Sequence, residues 1–490
     1  LQAIADVPGP LVAGQRVSVD VVLTNHGTIA LENAQLSLAA PAAWNATGLS
    51  TFDSSLPQNA GLRQTLSFVV PRDAAPTRPY FERETISEAR YKVRDAAQMF
   101  RPAAAPPISV VARYQVAGAV VEARSVARRR EPHVPYGDEL RELAVVPAVA
   151  VNVTPRIAVV PLGVQAGVDI LVELVNNMRP EANDGAVHGV LDVRLPSGMS
   201  TSGSAATEPF TFTRVGERST HRFHFVPREV ASGRDYWFQV VATVGGREYA
   251  EGYEAIEHRD LETRNLYRKA GVLVRGVDVK VAPKLKVGYV MGIGDEVPTG
   301  IAQLGASVAL LGEADLARGD LRQFDAIITG TRAYAVRDDL KTYNRRLLDY
   351  VKDGGNMIVL YNTQELVPNE FAPYPGALTA RAEEVSEEDS PVEILAPAHR
   401  VLTTPNTITP SDFAGWVEQR GSKFWSEWDR AYTPIIATHD RGQPWQRGGW
   451  LMADYGKGHY TYFAYAFHRQ LPYGVPGAYR MLANLLSLGK

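Results

Sequence analysis

The stretch whose reading decides the fold is GGNMIVLYNTQEL, residues 354–366. A glycine pair closes a charged, helix-forming segment and launches an apolar, β-favouring run that stops at Tyr361-Asn362-Thr363. A short strand that is apolar on both faces belongs inside a parallel sheet covered by helices. In many α/β hydrolytic folds the turn after such a strand carries a nucleophile. Here it carries Asn and Thr, so the turn is an active site, a converted binding site or only a loop.

The neighbouring segments keep the same period. Upstream, DDLKTYNRRLLDYVKDGG predicts a helix with Leu340, Leu347, Leu348 and Val351 as its buried stripe, ended by Asp353-Gly354-Gly355. Before it, KLKVGYVMGIGDEVP reads as a strand with a glycine turn, TGIAQLG as a short helix, and ASVALLG and FDAIITGTRAY as further strands. Downstream, GGWLMADYGKGHYTYFAYAF predicts a hairpin turned at Tyr455-Gly456-Lys457-Gly458, and PGAYRMLANLLSLG a closing helix that starts at Pro476. Residues 263–490 therefore form an α/β domain with a parallel sheet.

Residues 1–144 alternate instead with period two. In QRVSVDVVLTNHG, Val17, Val19, Val21 and Leu23 share one face and Asn25-His26-Gly27 supplies a turn, which predicts an antiparallel sandwich. Residues 145–262 repeat the scheme. AGVDILVELVNN mirrors GQRVSVDVVLTN, and Val226-Pro227-Arg228-Glu229 falls where Val70-Pro71-Arg72-Asp73 falls in the first unit. A duplicated Ig-like module is expected, joined through RRREPHVPYGDELRELAVVP. The basic run Ala127-Arg128-Arg129-Arg130 within that join is read as solvated linker.

Composition bounds the function. The 490 residues suffice for about three domains. A net charge of −3 argues against broad binding to nucleic acid or anionic membrane. The absence of cysteine removes disulfides, thiolate metal sites and cysteine nucleophiles together. No apolar run reaches the roughly 18 residues of a membrane span. The opening LQAIADVPGP has neither an initiator Met nor a signal pattern, so a processed or partial polypeptide is expected.

In an open parallel sheet, ligands collect at the carboxyl ends of the strands. Four turns qualify: Gly292–Glu296, Thr331–Tyr334, Asn362–Glu365 and His468-Arg469-Gln470. Thr363 as a nucleophile would need a base; His399 and His468 are candidates, though no spacing ties either to it. As turn-capping side chains, Asn362 and Thr363 need no chemistry at all. Asp295 and Glu296 suit a cation or, more simply, the cap of the following helix. The HRFH of residues 221–224 lies in a strand pattern, where residues three apart face opposite ways and cannot chelate one ion. RAEEVSEEDSPVE (381–393) reads as a solvated loop. Five of the seven tryptophans fall between residues 416 and 450. Trp416 and Trp425 among them are either part of a lid packed on the sheet or flat surfaces for sugar faces.

KVGYVMGIGDEVP, DAIITGTRAYAVRDDL, NRRLLDYVKDGGNMIVLYNT, HRVLTTPNTITPSDFAGWVEQRG and FHRQLPYGVPGAYRMLANLLSL resemble the C-terminal, non-catalytic region of large bacterial PIG-L-type (LmbE-like) N-acetylglucosaminyl deacetylases. That region resembles a class I glutamine amidotransferase or ThuA-like, flavodoxin-like domain. The preceding modules look like the Ig-like, alpha-galactosidase-associated domains that sit before it. The family's zinc domain is marked by His-Pro-Asp-Asp, which does not occur here, so the resemblance implies zinc only in an upstream deacetylase domain and no cofactor in this chain. Amidotransferases place a cysteine where this chain has Tyr361-Asn362-Thr363. The implied function is an accessory region that positions a glycan or partner, located in the periplasm, at the cell surface or outside the cell. Asp295, Glu296, Arg332, Tyr334, Asn362, Thr363, Gln364, His468, Arg469, Trp416 and Trp425 are its binding candidates. In this scheme Arg332 and Arg469 hold anionic or hydroxylated groups and Tyr334 stacks. A hydrolase using Thr363, or a metal at Asp295/Glu296 and His468, is the rival reading; a spacer or oligomerisation module is the third.

Overall fold

Alternation of side chains builds the first unit. In the strand Arg16–Thr24, Val17, Val19, Val21 and Leu23 are buried while their neighbours face outward. A computed structural model describes the chain except for residues 42–43, 45–48, 53–54, 136, 164–165, 181–184, 198 and 259–260. In it, Arg16–Thr24 lies in a five-stranded sheet between Gln2–Ala5 and Gly61–Val69. A four-stranded sheet built on Leu31–Ala39 and Ser109–Val116 covers its apolar face. The second unit stacks a four-stranded sheet, centred on Val168–Asn176 and Arg218–Pro227, against a sheet through Val187–Arg194, Asp235–Val244 and Gly271–Val277. Phe212, Phe223, Phe225 and Phe238 fill the space between them.

The internal echo extends to single hydrogen bonds. Asn25, at the end of its strand, donates its amide to the carbonyls of Ile29 and Leu56 (2.9 Å each) and accepts from the Gly27 N–H (2.9 Å). Asn176, at the matching place in the second unit, donates to Met178 (3.0 Å) and Arg214 (2.8 Å) and accepts from the Met178 N–H (3.0 Å). A buried amide that fills its donors and acceptor in this way fixes the turn on both sides.

Two boundary expectations change. The basic run is not linker: Arg128–His133 and Gly137–Glu142 form a hairpin inside the first sheet, with Arg128–His133 parallel to Gln2–Ala5. Tyr136, within that join, lies outside the described residues. The arginines are neutralised where this hairpin meets another, Glu251–His258 with Leu261–Lys269. Arg128 pairs with Glu262 (2.8 Å), Arg264 with Glu142 (3.3 Å), and the Tyr267 hydroxyl donates to the Val145 carbonyl (3.0 Å). The second unit also runs past residue 262, because Gly271–Val277 pairs with both Ile157–Pro161 and Asp235–Val244. An edge hairpin between two sheet strands looks like a domain break in sequence and is none in space.

The remaining residues form a seven-stranded sheet in the order Ser307–Leu310, Lys286–Val290, Ala326–Thr329, Asn356–Leu360, Gly458–Phe463, Trp450–Tyr455, Thr433–Pro434. The first five are mutually parallel; Trp450–Tyr455 runs antiparallel to Gly458–Phe463, and Thr433–Pro434 runs antiparallel to Trp450–Tyr455. Asn356–Leu360 is buried throughout, as its uniform apolarity requires. The helix Asp338–Lys352 buries Leu340, Leu347 and Val351, with Leu348 at the margin, and Pro476–Leu486 covers the sheet with Met481, Leu482 and Leu485. The acidic segment is solvated, as expected, but it is pinned rather than a free loop. Glu383–Val385 pairs with Gly421–Phe424, and Asp440 accepts from the backbone N–H groups of Ser386 and Glu387 (2.9 Å each).

Candidate functional site

Strand Lys286–Val290 has the next strand in the chain on one side and the one after that on the other. The two connections leave in opposite directions, and the turns at the carboxyl ends part there. Gly292 makes their approach possible: a Cβ on it would lie 1.9 Å from the Thr331 carbonyl oxygen, to which the Ile293 N–H donates (3.1 Å). Asp295 then ties the two turns together. Its carboxylate accepts from the Tyr289 hydroxyl (2.7 Å) and from the N–H groups of Val297 (3.2 Å) and Thr331 (3.0 Å). This is the capping role expected of Asp295, and both its oxygens are occupied. Glu296 is exposed and accepts from the Thr299 hydroxyl (2.9 Å).

Arg332 follows in the left-handed region, φ 52°, with its N–H on the Tyr361 carbonyl (2.8 Å). Its Nε is buried without a hydrogen-bond partner. The backbone at Tyr361, Asn362 and Thr363 stays out of that region, so the strained residue among these turns is Arg332 rather than one in the turn after Asn356–Leu360. Asn362 is fully buried: its carbonyl oxygen accepts from the Tyr334 N–H (3.0 Å) and its amide donates to Leu360 (2.8 Å). Asn362 therefore splices the second turn, Thr331–Tyr334, to the third, its own.

Tyr334 cannot stack on a ligand, which corrects its sequence assignment. It is completely buried, its hydroxyl donates to Asn344 (2.7 Å), and its ring lies 5.3 Å from that of Phe371. Trp416 and Trp425 are buried too and belong to the lid. Trp416 donates to the Asp412 carbonyl (3.1 Å) and stacks on Phe413, while Trp425 sits 5.0 Å from the Tyr462 ring. Apolar rings next to an apolar sheet are worth more buried than wet, by about 1.5–3 kcal/mol for a large side chain.

The Thr363 hydroxyl donates to Glu365, and the exposed Gln364 amide donates to the same carboxylate (3.3 Å). The Thr363 bond, helped by the more distant Arg332 guanidinium, holds Glu365 below the usual carboxylate range. A carboxylate so stabilised is a poor base. The His468 ring stacks 5.7 Å from that of Tyr361 and is shifted down to about 4 by burial, reinforced by Arg469, so it is neutral at pH 7. Arg469 pairs with Glu418, yet its Nε is buried and unpartnered like that of Arg332. His399 spends Nδ1 on the Val401 N–H (3.2 Å). Among the described residues, no three His, Asp or Glu side chains gather closely enough to hold a metal ion. His221 and His224 face opposite ways, onto Glu208 (2.9 Å) and Asp169 (2.7 Å).

The structure thus joins Asp295, Arg332, Asn362, Thr363 and His468 through neighbouring turns, and sets Tyr334, Trp416 and Trp425 behind them. Two contributors escaped sequence reasoning: Tyr289 and Glu418. Glu418 is a non-glycine residue at φ 64°, which no local motif announces.

Three solved structures are similar at low level. The beta-galactosidase from Rahnella sp. R3 is 17% identical, over 42% of this chain and 31% of that one, with TM-score 0.27. The alpha-2-macroglobulin of Salmonella is 10% identical, over 56% and 16%, with TM-score 0.20. The transglutaminase of red sea bream is 13% identical, over 56% and 31%, with TM-score 0.23. The matched parts span less than a third of each of those chains. No curated protein matches. Residues 11–94, within the first sandwich, match the family described as the NPCBM-associated, NEW3 domain of alpha-galactosidase.

Proposed function

We propose that this chain is a non-catalytic accessory region that holds a glycan, or a glycan-bearing partner, for a carbohydrate-active protein. The finer reading is a PIG-L-type deacetylase whose zinc chemistry resides in another domain and which works in the periplasm, at the cell surface or outside the cell. Its third unit would be a flavodoxin-like, amidotransferase-like fold that kept the cleft and lost the reactive atom. The galactosidase-associated match of residues 11–94 supports the accessory role. The parallel strand order, with a switch at Lys286–Val290, supports the fold.

One observation carries the reading. The strand-end turns present two guanidinium groups with buried, unpartnered Nε–H donors, Arg332 and Arg469, while the hydroxyl beside them, on Thr363, is committed to a carboxylate. Such turns offer guanidinium donors to a polyhydroxylated ligand and pair the Thr363 hydroxyl only with a carboxylate held too weakly basic to activate it. A glycan array probed with the purified chain and with Arg332→Ala tests it: binding is expected, weakened at least about tenfold in the variant. Absence of binding to any glycan, or amide or ester turnover abolished by Thr363→Ala or Asp295→Ala, would favour the hydrolase instead.

A further inference from the structure

Trp416, Trp425 and Trp450 are buried and Trp445 is exposed, but a cluster of mutually packed exposed rings lies elsewhere. Between the strands Gly61–Val69 and Ser109–Val116 the first sandwich carries a long excursion, in which Phe81–Glu82 pairs with Lys92–Val93. Tyr80, Phe81 and Tyr91 form a chain of edge-to-face rings, with centroids 5.1 and 5.2 Å apart. Phe81 is 37% exposed and Tyr91 56%. Apolar rings are left in water on a surface that could have been polar, and they are braced there: the Tyr80 hydroxyl donates to the Arg101 carbonyl (2.8 Å) and the Arg94 N–H to the Tyr80 carbonyl (2.7 Å).

The surroundings of the rings indicate what covers them. Arg83 lies 5.2 Å over the Tyr91 ring, Arg94 pairs with Glu82, and Lys92 bridges Glu84 and Glu88 (3.3 Å each). These charges cancel locally, so the patch attracts neither an anion nor a cation strongly. An apolar protein face would have to strip water from all of them, which is costly without new partners. A saccharide does not incur that cost: its C–H face covers a ring and its hydroxyls hydrogen-bond the flanking carboxylates and guanidinium groups.

We propose that Phe81 and Tyr91 form a stacking platform for a neutral saccharide on the first sandwich, separate from the strand-end cleft. This inference rests on the glycan-holding reading above but places a second contact on a different domain. Affinity electrophoresis of the full chain in gels containing galactomannan or soluble N-acetylated chitin tests it, with Tyr91→Ala, Tyr91→Phe, Phe81→Ala and Arg332→Ala run side by side. The expected result is retardation of the parent chain in at least one of the two gels, a tenfold or greater loss for Tyr91→Ala and Phe81→Ala, and retention by Tyr91→Phe, with unchanged thermal unfolding. Retardation that survives Tyr91→Ala but is lost in Arg332→Ala overturns the platform and leaves the cleft standing. Loss in the ring variants with Arg332→Ala unaffected supports the platform alone. A parent chain retarded in neither gel overturns the platform, and a blank glycan array as well would remove the glycan reading with it.

Discussion

The paired sandwiches and the third unit treat buried polar groups in opposite ways. In the sandwiches Asn25 and Asn176 each donate two hydrogen bonds and accept one, and the buried polar atoms of the described residues without a hydrogen bond sit in the charged seam of Glu131, Arg141 and Arg268, where ion pairs such as Arg141 with Glu131 (3.4 Å) compensate them. The third unit leaves Thr331 Oγ1, Arg332 Nε and Arg469 Nε unpartnered at its strand ends, with Thr329 Oγ1 just beneath. Each such atom costs about 1–3 kcal/mol unless water or a ligand supplies its partner. The third unit's scaffold has unpartnered buried atoms too, at Asn356, Trp425, Trp450, Tyr460, Thr461 and Tyr465, but those in the loops around the switch point lie at the carboxyl edge of the sheet. Unused donors at that end of a parallel sheet are what a binding cleft requires.

The largest expected effect sharpens the scaffold side. Asn176→Ala strands two carbonyls and an N–H, and should lower unfolding free energy by about 3 kcal/mol in chemical denaturation. Asn25→Ala should match it, because the bonding is the same; a large difference between the two would break the proposed equivalence of the modules. Asn362→Ala should belong to this group as well, despite its position among the site turns.

Arg332 should behave oppositely. Arg332→Gly relieves the left-handed backbone while loosening the unfolded chain, and these effects offset to within about 1 kcal/mol. Its glycan binding should nevertheless fall by about tenfold. A variant that unfolds readily would make Arg332 scaffold after all.

A pH titration separates the regions further. His468 is held at about 4 in the folded chain by burial, below its ordinary value near 6.5, so the unfolded chain binds more protons between those limits. Stability from this group is present above pH 6.5 and is lost as pH falls toward 4. His468→Gln should flatten that part of the stability profile, measured by thermal unfolding across the window. The smallest effect is expected for Thr363→Ala, whose half-exposed bond to Glu365 is worth no more than about 1 kcal/mol.

How much of this was legible in the sequence depends on whether the signal was local. Period-two alternation exposed the strand Arg16–Thr24, and the glycine pair after Lys352 marked the end of a helix that does stop there. The repeated strand-Asn turn was visible as text before its bonds were. Burial of Trp416 and Trp425 was not, because an aromatic cluster reads alike whether it faces a sheet or a solvent groove. The domain break drawn at residue 262 failed because the hairpin up to Lys269 precedes one more strand of the same sheet, Gly271–Val277. The meeting of Arg469 with Glu418 joins distant segments, which periodicity cannot reveal.

The central claim is that the strand-end cleft holds a ligand and leaves it intact. Saturation-transfer NMR of N-acetylated chitin oligosaccharides with the purified chain reads both halves in one sample. The account predicts transferred saturation that weakens in Arg332→Ala, and a spectrum that stays constant over days. Growth of a free acetate or reducing-end signal, abolished by Thr363→Ala or Asp295→Ala, would contradict it.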